Sequence, residues 1–458
     1  MEKDVDRSKQ LGEEKVGTLL FKFSLPAIVG MLVNALYNMV DRVFIGRGVG
    51  ALAISGLAVG FPLSIIGMAF GMLVGIGSST MISIKLGEKK KDEAERILGN
   101  SLILIILISI CLSIVGLIFL DDILKIFGAS AETLPYARDY MKYIVAGALL
   151  QNIGFSMNNI IRAEGNPKIA MATMLIGAII NTILDPIFIF VFKMGIKGAA
   201  LATIFAQTVS SIWVLYYFFS GRSTLKIRRE NLNLHKGTIK TIMSIGISPF
   251  SMQIAASLVT TIFNKNLLTH GGDLAVGAMG IVNSISMLFF MPMFGINQGM
   301  QPIIGYNYGA KQYKRVRKTL KLAITSAMII ATIGFIVVEV FPTALIKIFN
   351  KDEQLVAIGA YGMRIFLSML PIIGFQVVSS NYFQAVGKAK IAIFLSLLRQ
   401  VILLIPMLLI LPPIFGLNGV WIVGPVSDVL AAIVTVFFLS KNMKQLMKLE
   451  KLHPLNKI

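Results

Sequence analysis

Read for hydropathy alone, the chain is a succession of apolar runs of 20 or more residues, separated by short polar stretches. A helix rising ~1.5 Å per residue crosses a ~30 Å hydrocarbon layer in a run of that length. Twelve runs qualify, at about 24–46, 53–84, 98–120, 138–161, 169–192, 198–220, 242–268, 274–306, 320–342, 358–384, 390–412 and 417–440. In lipid each must satisfy its own backbone polar groups, which a helix does. The pattern predicts an all-α membrane protein of twelve transmembrane helices. The opening stretch MEKDVDRSKQLGEEKVGTLL is charged and has no apolar core of the signal-peptide kind. It is expected to be a tail or surface helix.

Composition sharpens this picture. Of 458 residues, 55% are hydrophobic and only 14% charged, against about 25% charged in soluble domains. Soluble enzymes and secreted scaffolds are excluded. The net charge of +20 would suit nucleic acid, but it is distributed by side. The N-terminal stretch and the segments on its side of the membrane hold 31 lysines and arginines, the other side 11, and Arg399 lies alone in mid-span. By the positive-inside rule both termini are cytoplasmic, in a multi-pass protein of the cell inner (plasma) membrane. The basic loops then meet anionic lipid headgroups, and no nucleic acid is expected as a partner.

The chain also repeats itself with a shift of about 222 residues. Ser24-Leu25-Pro26 falls near Ile247-Ser248-Pro249, Gly77 on Gly299 and Gly87 on Gly309. Ala163-x-Gly165-x-x-Lys168-Ile169-Ala170 falls on Ala385-x-Gly387-x-x-Lys390-Ile391-Ala392, and Gly195-Ile196-Lys197-Gly198 on Gly416-Leu417-Asn418-Gly419. Six spans per copy is an even number, so the copies are expected as two six-helix lobes related by a pseudo-two-fold axis along the membrane normal. The expected divisions are a tail at 1–23, an N-lobe at 24–220, a basic cytoplasmic linker at 221–241, a C-lobe at 242–440 and a basic segment at 441–458, the last an amphipathic stretch on the inner surface. Two lobes about a midplane cavity suit alternating access.

A charge at bilayer depth costs at least ~2.5–3.5 kcal/mol on insertion scales, so each one calls for a reason. Asn34, Tyr37, Asn38 and Asp41 recur at i, i+3, i+4 and i+7, one face of span 1. Asp185 on span 5 has Asn181 one turn before it and Pro186 after it, and Thr203 and Gln207 are spaced i, i+4 on span 6. Both spans 1 and 5 run outward and both acids sit in the outer half, so they can meet. Two carboxylates with amide and hydroxyl oxygens make a hard site for Na⁺, with Asp41, Asp185 and Asn181 as its ligands. Crowded together, the same acids can instead hold a proton. The alternatives are an interfacial pair of Asp41 with Arg42 or Arg47, and a structural hydrogen bond for Asp185.

The second copy differs. Asn264 stands where Asp41 would, and Ile405-Pro406 where Asp185 would. Arg399 and Asp428 are read as an ion pair within the C-lobe, and Glu339 and Arg364 as interfacial groups able to snorkel. Pro26, Pro249 and Pro371 mark expected kinks. Among 24 methionines, Met39, Met174, Met287, Met291 and Met293, with Gln207, are expected to line a substrate cavity, since thioethers repack around varied apolar ligands. The single cysteine, Cys111, allows no intrachain disulfide, and His235, His270 and His453 have no metal-ligand spacing. No nucleophile, metal cluster or His/acid pairing lies within the spans, so no enzyme and no cofactor are expected.

These features resemble the multidrug and toxic-compound extrusion (MATE) transporters over nearly the whole chain. The resemblance rests on Val40-Asp41 with Gly46, on Gly77 with Gly87, and on Arg162-Ala163-Glu164-Gly165-Asn166-Pro167-Lys168. Gln301-Pro302 followed by Asn307-Tyr308-Gly309-Ala310 extends it. The look is closest to the MepA-like and DinF-like bacterial members. The resemblance implies export of bulky, often cationic and lipophilic compounds in exchange for inward Na⁺ or H⁺, by a V-shaped pair of lobes. In the branch with its cation site in the N-lobe, the matching positions are Asp41, Asn158, Asn181, Asp185 and Thr203. A second branch uses acids on spans 7 and 10, and this chain has none there. The competing function is a lipid-linked saccharide flippase of the same superfamily, which calls for several cations in the cavity where Arg399 is alone. The protein is expected to act as a monomer.

Overall fold

The computed structural model describes residues 8–452, and every regular element among them is helical. His453, part of the amphipathic stretch read at 441–458, and residues 1–7 of the tail lie outside the described residues. All twelve expected spans are present. Span 1 is Val16–Gly48, span 2 Ala51–Gly87 and span 3 Lys91–Ile118. Span 4 is built from Leu134–Ala146 and Ala148–Ala163, bent by 52°. Span 5 is Pro167–Pro186, continued by the π-helix Ile187–Val191, and span 6 is Ile196–Phe219. The helix Lys236–Gly309 is two spans, 7 and 8, because Gly272 breaks it at φ 68°. Span 9 is Tyr313–Val340, and span 10 pairs Glu353–Phe366 with Leu370–Ala385 at 50°. Spans 11 and 12 run from Ala389 to Leu452 through the π-helix Leu398–Leu404, parted at Gly416 by φ 57°. Glycine serves at both breaks because its missing Cβ makes positive φ inexpensive.

The prolines act in different ways. Pro371 opens the second half of span 10, where its absent N–H has no helical partner to lose. Pro26 lies inside the continuous helix of span 1. The 52° bend in span 4 falls at Gly147, with no proline at the break.

The chain divides into two compact units, and the division falls within helices rather than in the linker. Unit 1 holds the residues up to Glu13 with Val29–Gln253, and unit 2 holds Glu14–Ile28 with the chain from Ile254 onward. Span 1 also starts eight residues earlier than the hydropathy suggests: residues 16–23 are helical, with Leu19 and Phe23 fully buried.

Within unit 1, spans 2 and 4 approach closely through small residues. Ser156 Oγ donates to the Gly71 carbonyl at 3.0 Å, and a Cβ on Gly75 would stand 2.8 Å from Ser156 Cα. The start of span 7 packs on span 2 in the same way, with Gly246 against the Leu73 carbonyl and Gly77 against that of Ile242. Unit 2 repeats this with the duplicated residues: Gly299 lies on Ser24 and Gly295 on Ile28. Apolar surface has little to gain by leaving lipid, so close backbone approach at small residues carries such contacts. The repeated glycines thus serve one packing role in each copy.

Candidate cation and substrate site

The buried acids of spans 1 and 5 meet. Asp185 is fully buried, at the end of the α-helical part of span 5, and Asp41 is 8% exposed. Their carboxyl groups are in hydrogen-bonding contact. Pro186 removes one i→i−4 bond just after Asp185, and the π-helix Ile187–Val191 follows, a local widening often found at functional sites.

Asn181 ties the pair to span 6. With both ends of its amide satisfied, its nitrogen donates to Asp185 Oδ2 at 3.1 Å and its oxygen lies 3.3 Å from the Thr203 hydroxyl. Thr203 itself donates to the Ala199 carbonyl at 3.0 Å. Tyr37 stands beside both acids, with Asn34 and Asn38 at its hydroxyl. Asn38 Nδ2 also donates to the Asn34 carbonyl at 2.7 Å, so these two amides brace span 1. One member was missed in the sequence: the Tyr140 hydroxyl, from the first half of span 4, hydrogen-bonds Thr203 and faces Asp41, Asp185 and Tyr37. Its spacing on span 4 carries no signal, because nothing local tells that this face turns toward spans 1 and 5.

Of the candidate residues named from the sequence in unit 1, Asp41 Oδ1, Asn158 Oδ1 and Gln207 Oε1 are buried oxygens with no hydrogen-bond partner among the described residues. Neighbouring Asn159 is committed, donating to the Phe155 carbonyl at 2.9 Å and accepting from Arg162 at 3.2 Å. Of these two neighbours, Asn158 is the one with a free acceptor. Arg42 forms no ion pair with Asp41 and instead lies over the Phe61 ring at 5.8 Å. No group of three His, Cys, Asp or Glu side chains that could hold a metal ion occurs among the described residues. The donor set is therefore two carboxyls with neutral oxygens, which suits a monovalent cation or a shared proton.

The methionines are placed unevenly. Met39 and Met287 are exposed, Met174 and Met291 half-buried, while Met293 is 1% exposed and packed within unit 2. Met174 sulfur fills the notch above Gly30. In unit 2, Arg399 Nε donates to Asp428 Oδ1, with Asp428 buried and Arg399 set in the π-helix of span 11. Arg364 and Glu339, read separately from the sequence, pair with one another at 2.8 Å.

A bundle of twelve membrane-spanning helices with acids buried among neutral oxygens is the form of a secondary transporter. Comparison with known proteins agrees: the family model described as MatE matches residues 26–187 and 241–410. The chain belongs to the MATE family of transporters. Among curated relatives it is similar to the multidrug export protein MepA of Staphylococcus haemolyticus (strain JCSC1435), 29% identical over 89% of this chain and 90% of that one. MepA of Staphylococcus aureus (strain MRSA252) is 28% identical, covering 92% and 93%. Among solved structures it is similar to the MATE multidrug transporter DinF-BH in complex with a small organic ligand, at 42% identity, coverage of 94% and 96%, and a TM-score of 0.89. An outward-facing multidrug resistance MATE transporter gives 25% identity, coverage of 95% and 98%, and a TM-score of 0.91.

Proposed function

We propose that this chain is a multidrug exporter that exchanges cationic, lipophilic compounds for Na⁺ or H⁺ by alternating access. The reading rests on one observation above all: Asp41 and Asp185 touch, buried in unit 1, with Asn181, Thr203 and Tyr140 closing round them. A carboxyl pair of this kind carries one proton between its members, or gives up that proton when a cation binds. Either event changes the charge beside span 1, on which Met39 is exposed. Asn158, whose buried oxygen has no partner, is the further cation ligand in this reading, and Gln207 with Met39 on unit 1 serves the passenger. The names of the MepA relatives and the DinF-BH complex support small organic substrates. The excess of basic residues on one side supports an inner-membrane topology with cytoplasmic termini.

The test is export of ethidium, a cationic and lipophilic dye, from proteoliposomes under imposed Na⁺ or pH gradients, comparing wild type with Asp41→Asn and Asp185→Asn. Both variants are expected to fold and to lose gradient-driven export. Full export by the double variant would end the proposal.

A further inference from the structure

Arg399 and Asp428 pair inside unit 2, near the middles of the apolar runs at about 390–412 and 417–440. The pair is lopsided. Asp428 is 1% exposed; its Oδ1 takes the Arg399 Nε–H, while its Oδ2 has no partner among the described residues. The Arg399 side chain keeps 21% of its surface open. Its two terminal nitrogens donate to no group among the described residues, so their N–H groups stand uncommitted.

Unmet donors of this kind are costly against hydrocarbon. A cation near a helix end escapes by snorkelling to the interface. Arg399 has no such escape, because its Nε is fixed to a buried acid at mid-depth. The free end of the guanidinium therefore calls for a polar occupant.

The duplication points to which one. Aligning Gly195 with Gly416 sets Asp428 on Gln207, and aligning Lys168 with Lys390 sets Arg399 on Gly177. In unit 1 the same two helices meet at this level: a Cβ on Gly177 would stand 2.7 Å from Ser210 Oγ. Gln207 carries a buried oxygen without a partner and serves the passenger in the reading above. Unit 2 thus sets an acid and an arginine where unit 1 has a neutral amide and a glycine. With Nε turned to Asp428, the terminal nitrogens present a planar fork, which matches the two oxygens of a carboxylate. Span 11 also widens into the π-helix Leu398–Leu404 at this residue, a distortion often found at functional sites.

We propose that Arg399 is a recognition point for a carboxylate carried by the passenger, with Asp428 holding the guanidinium in place for it. The proposal rests on the exporter reading and extends it to zwitterionic organic compounds. Asp428 also limits the grip, since its charge offsets part of the guanidinium's and lets the carboxylate leave again.

The experiment is fluorescence polarisation of the purified full-length protein with rhodamine B and with its ethyl ester. The two dyes differ only in whether the carboxylate is free. Arg399→Lys keeps the charge but loses the fork, and should weaken rhodamine B about tenfold while leaving the ester unchanged. Asp428→Asn removes the opposing charge and should tighten rhodamine B relative to the ester. A purely structural pair, or donors met by water alone, would move both dyes together in both variants, and that result would overturn the proposal. If either single variant does not fold, the neutral pair Arg399→Gln with Asp428→Asn decides, and it should lose the preference for the free acid. Binding of the ester but not of rhodamine B by wild type would overturn the proposal and leave the exporter reading standing. Binding of neither dye would remove both.

Discussion

Asp185→Asn removes one charge from the candidate cation site while keeping the side chain's shape. A unit charge about 4 Å from a bound cation is worth about 4 kcal/mol at an effective dielectric of 20, or about a thousandfold in affinity. Asparagine still bonds Asn181 and Asp41, so the hydrogen-bonding neighbours of Asp185 stay in place. Removing a buried charge should leave the empty protein as stable as wild type, or more so. The assay is thermal unfolding of the detergent-solubilised protein against Na⁺ concentration at constant ionic strength, repeated against pH. Wild type should be stabilised by one of the two cations, since a ligand that binds only the folded state raises its stability by mass action. The variant should need about a thousandfold more of that cation for the same rise. An unchanged dependence on both cations would refute the reasoning, because the acid would then not be a ligand.

Three further outcomes follow from the same geometry. Tyr140→Phe deletes the hydroxyl on Thr203 and should weaken cation binding by about 1 kcal/mol, read in the same titration, with unfolding in cation-free buffer little changed. Gly246→Ala would drive a Cβ into the Leu73 carbonyl; overpacking of this kind costs about 1–3 kcal/mol. Gly67→Ala, with nothing within 4 Å, should leave the melting temperature within error of wild type. Arg399→Leu leaves Asp428 buried and alone, a loss of about 3–5 kcal/mol, and the double change Arg399→Leu with Asp428→Leu should recover most of it in thermal melts.

Much of the fold was legible because bilayer thickness imposes one length on every span, and because duplication repeats Gly77 as Gly299 in the same packing role. The pairing of Asp41 with Asp185 was legible too, since helical spacing placed each on a polar face and the outward run of both spans gave them one depth. What stayed hidden depends on which faces meet. Tyr140 looks like any membrane tyrosine until the fold sets its hydroxyl on Thr203. The π-helices after Pro186 and around Arg399 have no compositional signature beyond the proline. Glu164 reads as an ordinary loop charge, yet Tyr217 and residues 223–224, from distant stretches of chain, close over it. The division inside spans 1 and 7 is hidden for the same reason: an unbroken apolar run says nothing about which unit each half packs on.

The most direct measurement is ion flux driven by the organic passenger. Proteoliposomes are given an ethidium gradient and no ion gradient, and Na⁺ and H⁺ movement is followed. The account predicts counterflow of one of these cations in fixed proportion to dye with wild type, and none with Asp41→Asn or Asp185→Asn. Dye movement without cation movement in wild type, or undiminished counterflow in both variants, would contradict it.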